Sequence, residues 1–116
     1  MSRHETLVRL RHMLDHSREA VAMAAGKKSD HLDSDRKLNL ALVRLLEVVR
    51  EAASRTSADE RAQNAQILWA QIVGVRNRLA HGYDSVNFDI LWQIATLDLS
   101  ALIVALEQIV PSEGGA

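Results

Sequence analysis

Leu38-Asn39-Leu40-Ala41-Leu42-Val43-Arg44-Leu45-Leu46-Glu47-Val48-Val49-Arg50-Glu51-Ala52 is the stretch that sets the fold class. Leu38, Ala41, Leu42, Leu45, Val48, Val49 and Ala52 recur at spacings of three and four, so on a helix they share one broad face. A face that wide suits the central helix of a bundle, and the spacing predicts a helix over 33–55.

The flanking segments read the same way. Ser2-x-x-Glu5 is a capping box, in which each side chain satisfies the other residue's free backbone N–H. Leu7, Leu10, Leu14, Val21 and Ala24 follow as a one-sided stripe, and Gly26 suits a left-handed cap beside Lys27 and Lys28. A second capping box, Ser57-x-x-Glu60, opens a weakly amphipathic stretch over 58–66 that reads as a short helix or an irregular turn. Apolar density rises from Ile67 through Trp69, Ile72, Val75 and Leu79, and this helix is expected to end near Gly82. The last helix is expected to begin around Phe88 or Asp89, to carry Leu91, Trp92, Ile94, Leu102 and Leu106, and to stop at Pro111. Strand alternation is absent, and no internal repeat is found. The expected architecture is an all-α, antiparallel four- to five-helix bundle over 1–111, with a disordered tail over 112–116. The last helix is apolar on more than one side, which points to a homodimer.

Composition agrees. The 116 residues are 47% hydrophobic and 25% charged, the balance of one globular domain. One Pro and five Gly leave little material for the tight turns of an all-β fold. The absence of Cys excludes disulfides, thiolate zinc sites and cysteine nucleophiles. The longest apolar run, over 101–106, is short for a membrane span, and the first residues do not resemble a signal peptide. A cytoplasmic protein without a membrane segment is expected.

A net charge of −1 argues against a general nucleic-acid coat protein, but the charge is unevenly placed. From Gln66 onward the only basic residues are Arg76 and Arg78, and all four aromatics (Trp69, Tyr83, Phe88 and Trp92) also lie there. Trp69 and Trp92 are expected in the core, not as base-stacking platforms. There is no P-loop, dinucleotide-binding glycine turn, nucleophile elbow or zinc-protease motif. His12 and His16 lie one helical turn apart, half of a zinc site, yet that helix reads as a solvated basic surface whose Arg3, Arg9, Arg11 and Arg18 can attract a polyanion. Neither a metal nor another cofactor is expected.

Arg76-Asn77-Arg78-Leu79-Ala80-His81-Gly82-Tyr83 carries the chemistry. Asn77 and His81, four apart, would project from one helix face, with the long Arg76 side chain converging beside them. A guanidinium makes bidentate contacts to phosphate at every relevant pH, and an imidazole exchanges protons near neutrality. Together they make a phosphodiester site. Helix ends also carry Arg and His merely to complement the dipole.

The motif resembles the Arg-x4–6-His signature of HEPN domains, in which an Asn frequently follows the Arg. With Tyr83 it becomes Arg-x4-His-x-Tyr, which is similar to the HepT toxins. Leu46 to Ala53 resembles the family's second-helix segment, Trp69 to Asn77 its approach to the catalytic Arg, and Ile90 to Ile94 the start of its last helix. The similarity covers roughly residues 5–110. It implies a dimerising helical bundle with two motifs at a shared cleft, and a metal-independent endoribonuclease acting as the toxin of a toxin–antitoxin pair. The implied partner is a minimal nucleotidyltransferase antitoxin of the MntA type, which silences the toxin by adenylylating the motif Tyr. On this resemblance Arg76 and His81 are catalytic, Asn77, Arg78 and Tyr83 contact the RNA substrate, and Tyr83 is the modification site. Arg78 alternatively contacts the antitoxin, and Gly74 is expected inside the helix. A rival reading, a non-catalytic nucleotide-binding or substrate-presenting partner of the nucleotidyltransferase, also accommodates the modest charge.

Overall fold

The computed structural model describes residues 2–80 and 85–111, and within them the chain is helical. α1 (Arg3–Ala24) starts at Ser2, whose side chain accepts from the Glu5 N–H, and Gly26 follows it at φ 75°, the left-handed conformation that glycine adopts without penalty. A short α2 (His31–Ser34) precedes α3 (Arg36–Ser54). The single helix expected over 33–55 is therefore two. Asp35 divides them, with an extended backbone and a side chain that accepts from the Leu38 N–H at 3.1 Å, while its own N–H closes α2 on His31. Leu32 is fully buried, and the Asn39 side chain donates to its carbonyl at 2.8 Å, which pins α2 to the first turn of α3. Replacing Asp35 by Ala removes the cap and is expected to cost about 1 kcal/mol, read as a lower midpoint in urea unfolding.

Ser57 caps α4 (Ala58–Gln63), so the stretch left between helix and turn is a short helix. The next apolar segment divides into α5 (Trp69–Val73) and α6 (Val75–Leu79). Gly74 does not sit inside one regular helix as expected. It joins the two, and a Cβ there would lie 3.0 Å from the Ala70 carbonyl oxygen. Nor does the helix reach Gly82. Ala80 turns extended (ψ 131°) and forms an isolated antiparallel bridge with Val86, while the Asn87 N–H donates to the Leu79 carbonyl at 2.8 Å.

Asn87 then caps α7 (Phe88–Gln93), which passes through a π-helical segment (Ile94–Asp98) into α8 (Leu99–Glu107). The expected start holds, but α8 ends four residues short of Pro111, after which a turn buries Val110. The tail over 112–116 lies outside the described residues. Phe88–Glu107 as a whole is long and apolar enough to cross a membrane, unlike the run over 101–106. One face of it packs into the bundle, where Leu91, Ile94, Ala95, Leu99, Leu102 and Leu106 are buried, while Leu97 and Val104 are exposed.

α1 packs on both α3 and α8. Arg3 meets Glu60 and Arg9 meets Arg55, whereas Arg11 meets Pro111 and Arg18 meets Glu107. The first turns of α1 thus lie beside the C-terminal end of α3, where Arg55 is its cap, and Arg18 lies beside Glu107 at the end of α8 with Arg11 beyond it, so α1 runs antiparallel to both. Leu10, Met13, Leu14, Leu32, Leu42, Leu91 and Leu106 are the largest fully buried apolar side chains.

Candidate active site

α6 presents Arg76 and Arg78 on opposite sides, as a separation of two residues (about 200° of helical rotation) requires. Arg76 is 65% exposed and reaches α3, where its Nη2 lies 3.7 Å from Glu47 Oε1. Arg78 turns the other way and pairs with Asp98 of the π-helical segment at 3.1 Å. The two arginines thus line different hollows, Arg76 a polar one and Arg78 an apolar one. Asn77 is exposed beside Arg76. His81 and Tyr83 lie outside the described residues. α6 ends at Leu79, so the one-helix-face argument for Asn77 and His81 does not hold.

The polar hollow is a groove of about 690 Å³ between α1 and α3 with Arg76 at its edge. Five arginines (Arg9, Arg44, Arg50, Arg55 and Arg76) line it against three glutamates (Glu5, Glu47 and Glu51), a local positive excess on a chain of net charge −1. His4 and His12 stand along its α1 wall. A smaller pocket of about 210 Å³ adjoins it and shares Glu47, Arg50 and Arg76. Its remaining wall includes Ala80 and Ser85, the residues that flank the segment over 81–84.

α3 supplies what motif reading missed. Arg44, Glu47, Glu51 and Arg55 recur at spacings of three and four along its polar flank, a legible signal that reads locally as ordinary solvated charge. Of the α1 arginines expected to gather a polyanion, only Arg9 faces the groove; Arg3 and Arg18 are paired with Glu60 and Glu107. His12 and His16 stand edge-on at 6.3 Å, and His16 Nδ1 lies 2.7 Å from the His12 carbonyl, a contact made within the helix itself. Trp69 is core, held by its Nε1–H to the Asn64 carbonyl at 3.1 Å with the Arg61 guanidinium over its ring, whereas Trp92 is half-buried.

The apolar hollow, about 240 Å³, lies between α3, α5 and the π segment and is lined by Leu46, Ile67, Ile72 and Leu102. Leu68 and Leu97 rim it and are mostly exposed.

An arginine at the edge of a cationic groove, one residue ahead of an amide and five ahead of an imidazole, suits phosphodiester chemistry, and comparison with known proteins agrees. The chain is 27% identical over 104 residues, covering 90% of it and 93% of the relative, to a protein of Caldanaerobacter subterraneus subsp. tengcongensis named "Putative RNase". It is 24% identical to a Methanocaldococcus jannaschii protein also so named, over 85% of this chain and 91% of the relative. It is 29% identical to the "Probable ribonuclease HepT" of Thermococcus cleftensis, over 59% of this chain and 62% of the relative. No solved structure matches it significantly. The family model described as ribonuclease HepT-like matches residues 13–109, and the chain belongs to that family.

Proposed function

We propose that the protein is a metal-independent endoribonuclease, the toxin of a cytoplasmic toxin–antitoxin pair. The observation that carries this reading is the position of Arg76: largely exposed, and shared between a cationic groove and a pocket whose wall includes Ala80, the residue bonded to His81. In this mechanism the ribose 2′-hydroxyl attacks the adjacent phosphorus as His81 removes its proton. Arg76 stabilises charge on the non-bridging oxygens, and the P–O5′ bond breaks to leave a 2′,3′-cyclic phosphate and a 5′-hydroxyl. The 5′ leaving oxygen needs a proton, which the partner subunit's motif supplies in a homodimer. Exposed Leu68, Leu97 and Val104 offer apolar surface for a subunit contact. Asn77 orients His81 or the phosphate. Arg78, already paired with Asp98 away from the groove, serves at the outer edge of the substrate or against the antitoxin.

Silencing follows from Tyr83. A minimal nucleotidyltransferase antitoxin would direct the Tyr83 hydroxyl onto the α-phosphate of ATP, releasing pyrophosphate and leaving AMP, whose charge and bulk exclude RNA. Purified protein incubated with such a partner and ATP is expected to gain AMP on Tyr83 and lose RNA cleavage. Tyr83→Phe is expected to cleave within about ten-fold of wild type and to resist silencing. Mass gain on Tyr83→Phe, or silencing without any mass gain, would contradict this role. Tight nucleotide binding with no RNA turnover by unmodified protein would favour the non-catalytic module instead.

A further inference from the structure

Arg50 stands where the groove and the Arg76 pocket meet, lining both. Its side chain is only 17% exposed, its Nε is buried with no hydrogen-bond partner, and its ion pair is a long one, Nη2 to Glu51 Oε2 at 3.6 Å. A guanidinium has five donors, and withdrawing it from water without partners is costly. Arg50 thus keeps one buried, unpartnered N–H and one long ion pair, and it lines the same two hollows as Arg76. Glu51 is meanwhile committed to Arg55, which approaches one of its oxygens through Nε and Nη2, both at 3.0 Å. From the opposite wall Arg9 donates to the Arg55 carbonyl at 3.2 Å. A row of guanidiniums therefore leads away from the Arg76 pocket along α3.

An RNA cut inside its chain must leave the pocket on at least one side of the scissile bond. Among the described residues the other large hollow is predominantly apolar, and its arginine, Arg78, is neutralised by Asp98. We propose that the groove between α1 and α3 is the track along which single-stranded RNA reaches the Arg76 pocket, with Arg50 as a phosphate-positioning residue at the junction. This rests on the ribonuclease reading. Glu47 and Glu51 keep the arginines in place in the free protein, and backbone phosphates take over those contacts when RNA binds.

The test separates binding from cleavage by using a fluorescent 2′-O-methyl oligoribonucleotide, whose attacking hydroxyl is blocked. Anisotropy titrations over a range of salt are made on wild type, Arg50→Met, Arg50→Lys, Arg55→Met and, as a charge control outside the groove, Arg36→Met. Arg50→Met and Arg55→Met are each expected to weaken binding about ten-fold at low salt and to flatten the slope of log K against log salt by about 0.7. Arg50→Lys is expected to keep the slope, and Arg36→Met to change neither quantity. Arg55 is a surface side chain, so its variant stands as the test if Arg50→Met fails to fold. Unchanged affinity and slope in folded groove variants of a chain that still cleaves RNA would overturn the track and leave the ribonuclease reading intact. Loss of antitoxin binding with RNA binding unchanged would reassign the groove to a protein partner. A wild type that neither binds nor cleaves RNA would overturn both.

Discussion

His81→Ala is expected to lower RNA cleavage by about 10²–10⁴-fold, the usual contribution of one positioned general base or acid, without lowering the melting temperature. Arg76→Ala is expected to lose about 10²–10³-fold, because the guanidinium acts where charge develops on the phosphoryl oxygens. Its side chain is 65% exposed and holds one weak ion pair to Glu47, so the fold does not depend on it. Arg76→Lys is expected to recover only part of the loss, since an ammonium keeps the charge but not the planar bidentate fork. The double variant is expected to fall little below the worse single one, because the two groups serve one step. Cleavage followed with each variant at equal folded concentration, with a thermal melt of His81→Ala, checks these expectations.

Leu42→Ala is expected to destabilise the protein by about 2–5 kcal/mol, the range for a buried leucine whose cavity cannot fully collapse. Leu42 is fully buried on α3, the helix against which α1 packs, and Leu10, Met13 and Leu14 of α1 are buried in the same core. For a domain of this size the loss corresponds to a fall in melting temperature of roughly 4 °C or more per kcal/mol. Such a fall consumes a large share of the total stability of a small domain. Activity is expected to fall with the folded fraction, as the α3 wall of the groove goes with the helix. Leu97→Ala, on a side chain 64% exposed, is expected to shift the monomer melt by no more than about 0.5 kcal/mol. Its effect is expected in the oligomeric state, where loss of the dimer on sedimentation would place Leu97 at the subunit contact.

Those two leucines show what local pattern conveys. The α3 stripe and the capping residues Ser2 and Ser57 were legible because propensity, periodicity and caps act over a few residues. Val48 and Leu7, counted in the stripes, are only half-buried, while Thr6, Met13, Ser17 and Ala20 complete the buried face of α1. Thr6 fits there because its hydroxyl bonds the Ser2 carbonyl at 3.2 Å. The breaks were less legible. Asp35 competes with the helix as a cap although periodicity continues around it, and the end of α6 is fixed by the non-local bridge from Ala80 to Val86. The π turn that brings Asp98 to Arg78 has no local signature. At the site, the order of Arg76, Asn77, His81 and Tyr83 carried the chemical reading, whereas the groove arose only when α3 and α1 came together. Its charges repeat like those of any solvated helix flank.

Metal-independent cleavage at Arg76 and His81 is tested by incubating RNA in EDTA with wild type, Arg76→Ala and His81→Ala and identifying the chemistry of the product ends. Wild type is expected to give 2′,3′-cyclic phosphate and 5′-hydroxyl ends, and both folded variants to lose them. Undiminished cleavage by folded Arg76→Ala or His81→Ala, or products ending in a 5′-phosphate, would contradict this mechanism.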